Sequence, residues 1–310
     1  MDKRLLVEQF DTLIKSFDDE VDEIIYHYTS ARGLQEIIEK SELHLSNVAF
    51  LNDKTECDLL HQVLENVEFT NLHVKGYASN YSGAFSKDST HIISFTTKRD
   101  SLEQYLAYGR YCVGFKSKNL IKFPFRLSKC LYLPESVKTW LVKKEKDPNW
   151  NGSLLKDRKD WKDYAAYILL ATAGRKFKNK HFENENEVRL IGISSPKIIY
   201  ENSPQMYEKQ PPIHYRWSPR YEIPIPYVKF FIEENSTLQE DKDTGSNTIQ
   251  EMKRKRLLRE QEKTRELLPI AEIILGPGQH EVEAKSAFEI LLNDKGYKGV
   301  VVTLSDIPYR

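Results

Sequence analysis

Leu5, Leu6, Phe10, Leu13, Ile14 and Phe17 recur at helical spacing among charged residues and predict a first helix over residues 1–20. The apolar run EIIYHYT follows, short and rich in β-branched and aromatic residues, as a buried strand should be. Ser30 is placed to cap a helix that turns Leu34, Ile37 and Ile38 inward. LHLSNVAFLND reads as extended chain, after which Asp53 and Glu56 have capping-box spacing for a helix through Leu59, Leu60 and Val63.

Farther along, His91–Thr97 and Tyr111–Lys116 read as strands, with the short helix SLEQYLAYG between them. Residues 134–160 are Lys-rich and hold Pro134, Pro148 and Gly152, which predicts a polar surface insertion. Trp161, Tyr164, Ala165, Ile168 and Leu169, with Thr172 ending the stripe, predict an amphipathic helix. EVRLIGI reads as a strand, and EIPIPYVKFFIE holds another beyond its prolines. Residues 234–268 form a charged insertion that is expected to be mobile or helical, with a basic helix over 248–268. The chain closes with a βαβ-like unit, AEIILGPG, VEAKSAFEILLNDKG and KGVVVTLS. Strands and helices mix without regular alternation, which predicts a single α+β domain over residues 1–310.

Composition narrows the function classes. The 46 basic and 46 acidic residues cancel, so net charge makes no case for nucleic-acid or membrane binding. Aromatic residues at 11% argue against disorder. Cys57, Cys112 and Cys130 are odd in number and far apart, so neither a disulfide framework nor a thiolate zinc site is expected. The charged N-terminus lacks the apolar core of a signal peptide, and no apolar run is long enough to span a membrane, so a cytoplasmic protein is expected. There is no GxxxxGK[ST] phosphate loop, no GxGxxG, no GxSxG elbow and no HxxxH pair; no metal site is expected.

The remaining candidate chemistry is polar residues on strands. Alternation puts His27 and Thr29 on one face of their strand and Tyr26 and Tyr28 on the other, so His27 and Thr29 are placed to bond a sugar or an amide. A half-buried strand whose histidine caps a loop explains them equally. Glu185, Glu187 and Arg189 share parity entering EVRLIGI; two carboxylates so placed can stabilise a cationic sugar-like transition state or act as acid and base, or lie on a solvent-facing edge. Tyr105 and Tyr108, three apart on a helix, are placed to stack on a flat ring or to fill a core. The basic run Lys253–Arg256 with Arg259 suits phosphates, or a solvated helix with its interleaved glutamates.

Taken in order, these segments resemble a bacterial family, domain of unknown function 2971. The likeness rests on Tyr26-His27-Tyr28-Thr29 with Gly33-Leu34 and Ile37, Leu51-Asn52-Asp53 with Glu56, and Ser94-Phe95-Thr96 with Ser101-Leu102, Tyr105 and Tyr108. It continues through Glu185-Asn186-Glu187-Val188-Arg189, Gly276-Pro277, and Ser305 with Tyr309-Arg310. Lys54 stands where the family has proline, Tyr105 where it has tryptophan, and the Gly109–Tyr111 link is shortened.

The family's opening is similar to that of ADP-ribosyltransferases, including the DNA-modifying toxins. That resemblance implies a split mixed β-sheet with flanking helices and a cleft for NAD as co-substrate. It implies catalytic roles for Glu187, Glu185 and His27, and an NAD-binding set of His27, Tyr28, Thr29, Ser94, Tyr105, Tyr108 and Arg189. In this scheme Glu187 holds the ribose and the developing cation, Glu185 serves the acceptor, and a tyrosine stacks on nicotinamide. The function it implies is ADP-ribosylation of a macromolecule, protein or nucleic acid, by a toxin or phage-defence effector with an antitoxin or regulatory partner. The alternatives are an NAD glycohydrolase and a non-catalytic nucleic-acid or protein binding module.

Overall fold

The computed structural model describes residues 19–51, 59–65, 67–70, 72–79, 90–122, 125–146, 161–193, 211–218, 222–233, 265–278 and 280–308. Most of the expected first helix, the Asp53–Glu56 capping box, residues 147–160, the basic run and Tyr309-Arg310 lie outside them. Among the described residues no helix is long and apolar enough to cross a membrane.

The chain is α+β, built on a large mixed sheet. Its strands are β1 (Ile24–Thr29), β2 (Leu43–Asn47), β3 (Thr90–Thr96), β4 (Tyr111–Lys116), β5 (Phe125–Lys129), β6 (Glu187–Ile193), β7 (His214–Ser218), β8 (Ile223–Phe230), β11 (Ile270–Leu275) and β12 (Val301–Leu304). A separate small ladder joins β9 (Ile232–Glu233) to β10 (Arg265–Glu266). The helices are α1 (Ala31–Lys40), α2 (Leu60–Leu64), α3 (Leu72–Ser79), α4 (Leu102–Tyr108), α5 (Pro134–Glu145), α6 (Trp161–Lys176) and α7 (Glu281–Asp294).

The path through the main sheet is β12-β11-β4-β1-β3-β2-β8-β7, with β6 also paired to β3 and β5 to β6. Only β11 and β12 run parallel, as the terminal βαβ unit requires. One edge of β3 is taken up along its length by β6. Its other edge is shared: β2 holds His91 and Ile92, whereas β1 touches only at Tyr26↔Thr96. The sheet is therefore two halves joined at a single registered pair, and β1 and β3 part beyond it.

The two faces differ sharply. Ile25, Phe95, Val113, Phe115, Leu190 and Ile273 share one face and form the main core, closed by Leu34, Ile37 and Ile38 of α1 and Phe288 and Leu292 of α7. Ser30 caps α1 as expected, accepting from the Gly33 amide at 3.1 Å. The opposite face is polar at its centre, where Ser94, Thr96, Glu187 and Arg189 lie in register. On that face a small cluster of Tyr26, Tyr28, Tyr105, Cys112 and Ile274 packs on one half. On the other side, α2, α3, α5 and α6 form a second core around Leu60, Val63, Val137, Leu141 and Leu169.

Two expectations are corrected. Residues 134–145 are a helix with Val137 and Leu141 fully buried, because Pro134 opens it and its apolar stripe seats on α2 and α6. β8 runs through Pro224 and Pro226, whose partners lie on the edge strand β7. The structure also adds β5 and β7, short strands in which Phe125 and Leu127, and Tyr215 and Trp217, alternate with polar residues.

Candidate functional site

A cleft opens on the polar face where β1 and β3 diverge. It is lined by Tyr26, His27, Tyr28, Ser94, Phe95, Thr96, Gln104, Tyr108, Glu185 and Glu187. Its open space is about 60 Å³, room for a few water molecules. Strands β1, β3 and β6 supply the floor, α4 contributes Gln104 and Tyr108, and the 3-10 turn Lys180–Glu185 brings Glu185 to the rim.

Glu187 is the most tightly held group. Arg189 grips it with two bonds, from Nε at 3.0 Å and Nη2 at 3.1 Å. Ser94 Oγ donates at 2.5 Å and Lys178 Nζ at 2.7 Å. Burial pushes the Glu187 carboxyl up, but the charges of Arg189 and Lys178 outweigh it and hold the group well below the usual carboxylate range. Lys178 Nζ also donates to Glu185 Oε2 at 2.6 Å, and Tyr108 Oη to Glu185 Oε1 at 2.8 Å. Burial lowers the Lys178 ammonium's tendency to stay charged, yet Glu187 and Glu185 reverse that and raise its pKa.

His27 departs from its expected face. The register Tyr26↔Thr96↔Glu187 places Tyr26 and Tyr28, not His27 and Thr29, on the same face as Glu187. His27 alternates toward the core, edge-on to Phe95 at 5.8 Å, and reaches the cleft because the strands part there. Its Nδ1 lies 2.9 Å from the Ser94 carbonyl, where a strand amide would otherwise pair. A carbonyl only accepts, so Nδ1 carries the proton, and in the neutral ring Nε2 is an acceptor. Burial lowers the His27 pKa, and the Ser94 carbonyl only partly offsets this, so the ring is neutral at pH 7.

The structure brings His27, Tyr28, Ser94, Tyr108, Glu185 and Glu187 to one cleft. Thr29, Tyr105 and Arg189 are not among its lining. Thr29 Oγ1 fills the space where a side chain at Gly33 would stand. Tyr105, 3% exposed, packs edge-on against Tyr28 at 5.0 Å and donates to Asp100, so the two α4 tyrosines do not make one stacking surface. Arg189 acts from behind, bonded to Glu187 and to the Arg175 carbonyl at 2.7 Å.

Lys178, Gln104 and Thr96 were not among the expected site residues. Gln104 and Tyr108 stand four apart on α4, the spacing that shares a helix face, and that signal was readable. Lys178 sits in the run Lys176-Phe177-Lys178, where a bridge between Leu131 and Phe177 extends the chain and turns alternate residues the same way. Among the described residues there is no group of His, Cys, Asp and Glu placed to hold a metal ion.

No family model matches the chain, and neither the curated proteins nor the solved structures yield a significant match.

Proposed function

We propose that this chain cleaves the nicotinamide–ribose bond of NAD and transfers the ADP-ribosyl group to a macromolecular acceptor. The observation that carries the reading is a pair of glutamates on the cleft, Glu185 and Glu187, joined through one ammonium. Glu187 is held ionised by Arg189 and Lys178, Glu185 shares the same ammonium, and His27 is neutral. Cleavage of an ordinary O-glycoside needs an acid to protonate the departing oxygen. A pyridinium glycoside does not: when the C1′–N bond of NAD breaks, the electron pair returns to nitrogen and nicotinamide departs neutral.

The ribose is then an oxocarbenium ion whose charge the carboxylates oppose. The acceptor's nucleophilic atom forms the new bond to C1′, and its proton passes to Glu185. His27 Nε2 is the acceptor for a ribose hydroxyl. Tyr108, 43% exposed and bonded to Glu185, lines the cleft where a pyridinium ring would enter.

Motif order supports the same reading. An early histidine, a central tyrosine and a late glutamate meet where a mixed sheet divides, which resembles the ADP-ribosyltransferase fold and the family domain of unknown function 2971. On that resemblance the chain acts in the cytoplasm as a toxin or phage-defence effector.

The test is incubation of full-length protein with NAD, following nicotinamide release and the transfer of adenine-labelled ADP-ribose to macromolecules. Glu187→Gln is expected to cut release about a hundred- to thousandfold. Full turnover in that variant sinks the catalytic assignment, and rapid release with no acceptor present assigns an NAD glycohydrolase instead. A second reading, a binding module, draws on the saturation of Glu187 by Arg189, Lys178 and Ser94. It predicts that Glu187→Gln and His27→Ala leave the biological effect intact.

A further inference from the structure

We infer that Lys178 is the positioning residue of the glutamate pair, fixing the spacing of Glu185 and Glu187 from a single ammonium that donates to both. The step from this pairing to catalysis rests on the NAD reading above; the pairing itself does not.

The geometry is specific. Lys178 is anchored in the backbone by its amide, which donates to the Leu131 carbonyl at 3.0 Å, just past α6. Its side chain is 8% exposed and ends with Nζ 2.6 Å from Glu185 Oε2 and 2.7 Å from Glu187 Oε2. Those two oxygens therefore lie no farther apart than the two bonds laid end to end. The Phe182 ring covers the ammonium at 4.7 Å and limits its exposure to water.

Carboxylates this close repel, and without an intervening cation such a pair holds a shared proton. The other groups around the pair do not replace Lys178. Arg189, from β6, donates to both Glu187 oxygens and to the Arg175 carbonyl. Ser94 from β3 and Cys130 Sγ beyond β5 also meet Glu187, and Tyr132 Oη accepts from its amide. Tyr108 from α4 meets Glu185. His27 from β1 faces the cleft as a neutral ring. Among the described residues the Lys178 ammonium donates to both acids.

The role differs from scaffolding in what its loss does to protons. Lys178→Met is expected to let the pair take up a proton at a pH higher by about one unit or more. The acid side of the pH profile for nicotinamide release then moves up by the same amount, with the loss confined to acid pH and recovering toward pH 7. Lys178→Arg keeps the charge and is expected to keep the wild-type profile.

The experiment is a ¹³C titration of the glutamate side-chain carboxyls in the full chain, run beside the NAD assay on wild type, Lys178→Met and Lys178→Arg. Should Lys178→Met not fold, Lys178→Gln, which retains a neutral donor, takes its place. An upward-moved carboxyl titration in the neutral variant, restored by arginine, supports the positioning role. Unmoved carboxyl titrations, or faster nicotinamide release at every pH once the ammonium is gone, overturn it. Moved titrations with no NAD turnover in any protein would keep the positioning role and end the NAD reading.

Discussion

Glu42 and Glu187 are each 4% exposed and each surrounded by cations, yet of the two only Glu187 lines the cleft between β1 and β3. Glu42 receives His44 Nε2 at 2.8 Å, Arg265 Nη1 at 2.5 Å and Lys229 Nζ at 3.4 Å. These groups come from β2, β10 and β8, and Arg265 also lies over Phe231 at 4.5 Å and donates to the Lys40 carbonyl. The Glu42 cluster therefore ties the β9–β10 ladder to the sheet, where the strands beside it are fully paired. Around Glu187 the ladder between β1 and β3 stops after one pair, and a second carboxylate stands in the gap. A buried, paired acid is thus not a site by itself. The site comes from where the backbone leaves room.

The sharpest way to break this contrast is to neutralise each acid in turn. Glu187→Gln is expected to lower nicotinamide release about a hundred- to thousandfold, whereas Glu42→Gln leaves it within about twofold. Equal losses would mean that both clusters act only through stability.

Acid stability separates them next. Burial raises the Glu42 carboxyl, but His44, Lys229 and Arg265 together bring it down to about 2, against an ordinary value of 4.5. A depressed carboxyl adds stability that is full above the unfolded value and fades as pH falls from 4.5 toward 2. The difference corresponds to roughly 3 kcal/mol. Urea unfolding at pH 7 and pH 3 is expected to show the deficit of Glu42→Gln relative to wild type shrinking by roughly half at the lower pH.

A smaller effect tests the roof of the cleft. Gly109 has φ +125°, and a Cβ there would stand 2.4 Å from the Thr29 carbonyl oxygen. Gly109→Ala is expected to cost about 1–3 kcal/mol in thermal unfolding and to displace α4, with no effect on acid stability at Glu42. The smallest change is Tyr108→Phe. It removes the bond to Glu185 and is expected to alter NAD turnover several-fold, about 1 kcal/mol, without shifting the melting temperature by more than a few degrees.

How much could be read in advance varied by element. β1, α1, α4, β4 and the terminal βαβ unit follow from local patterns, because each has an apolar pattern of its own and α1 also its Ser30 cap. α5 was hidden because a Lys-rich helix buries only a narrow stripe, and that stripe has meaning only against α2 and α6. Of the site, the Glu185 and Glu187 pair and His27 were legible as residue types. The face on which His27 belonged was not, since alternation fixes parity but not which side of a sheet holds the cleft. Tyr105 and Tyr108 read as one aromatic pair, and the close approach of Gly276 to the Tyr105 ring, 2.6 Å for a Cβ, shows why packing drew Tyr105 away.

The sequence by itself determined the element types along most of the chain and the polar residues available for chemistry, because periodicity, caps and turn residues act over a few positions. Only the tertiary structure decided that β1 and β3 part after Tyr26↔Thr96 and that Lys178 stands between two acids. Strand pairing and charge neutralisation are contacts between distant segments, and no local pattern encodes which partners meet.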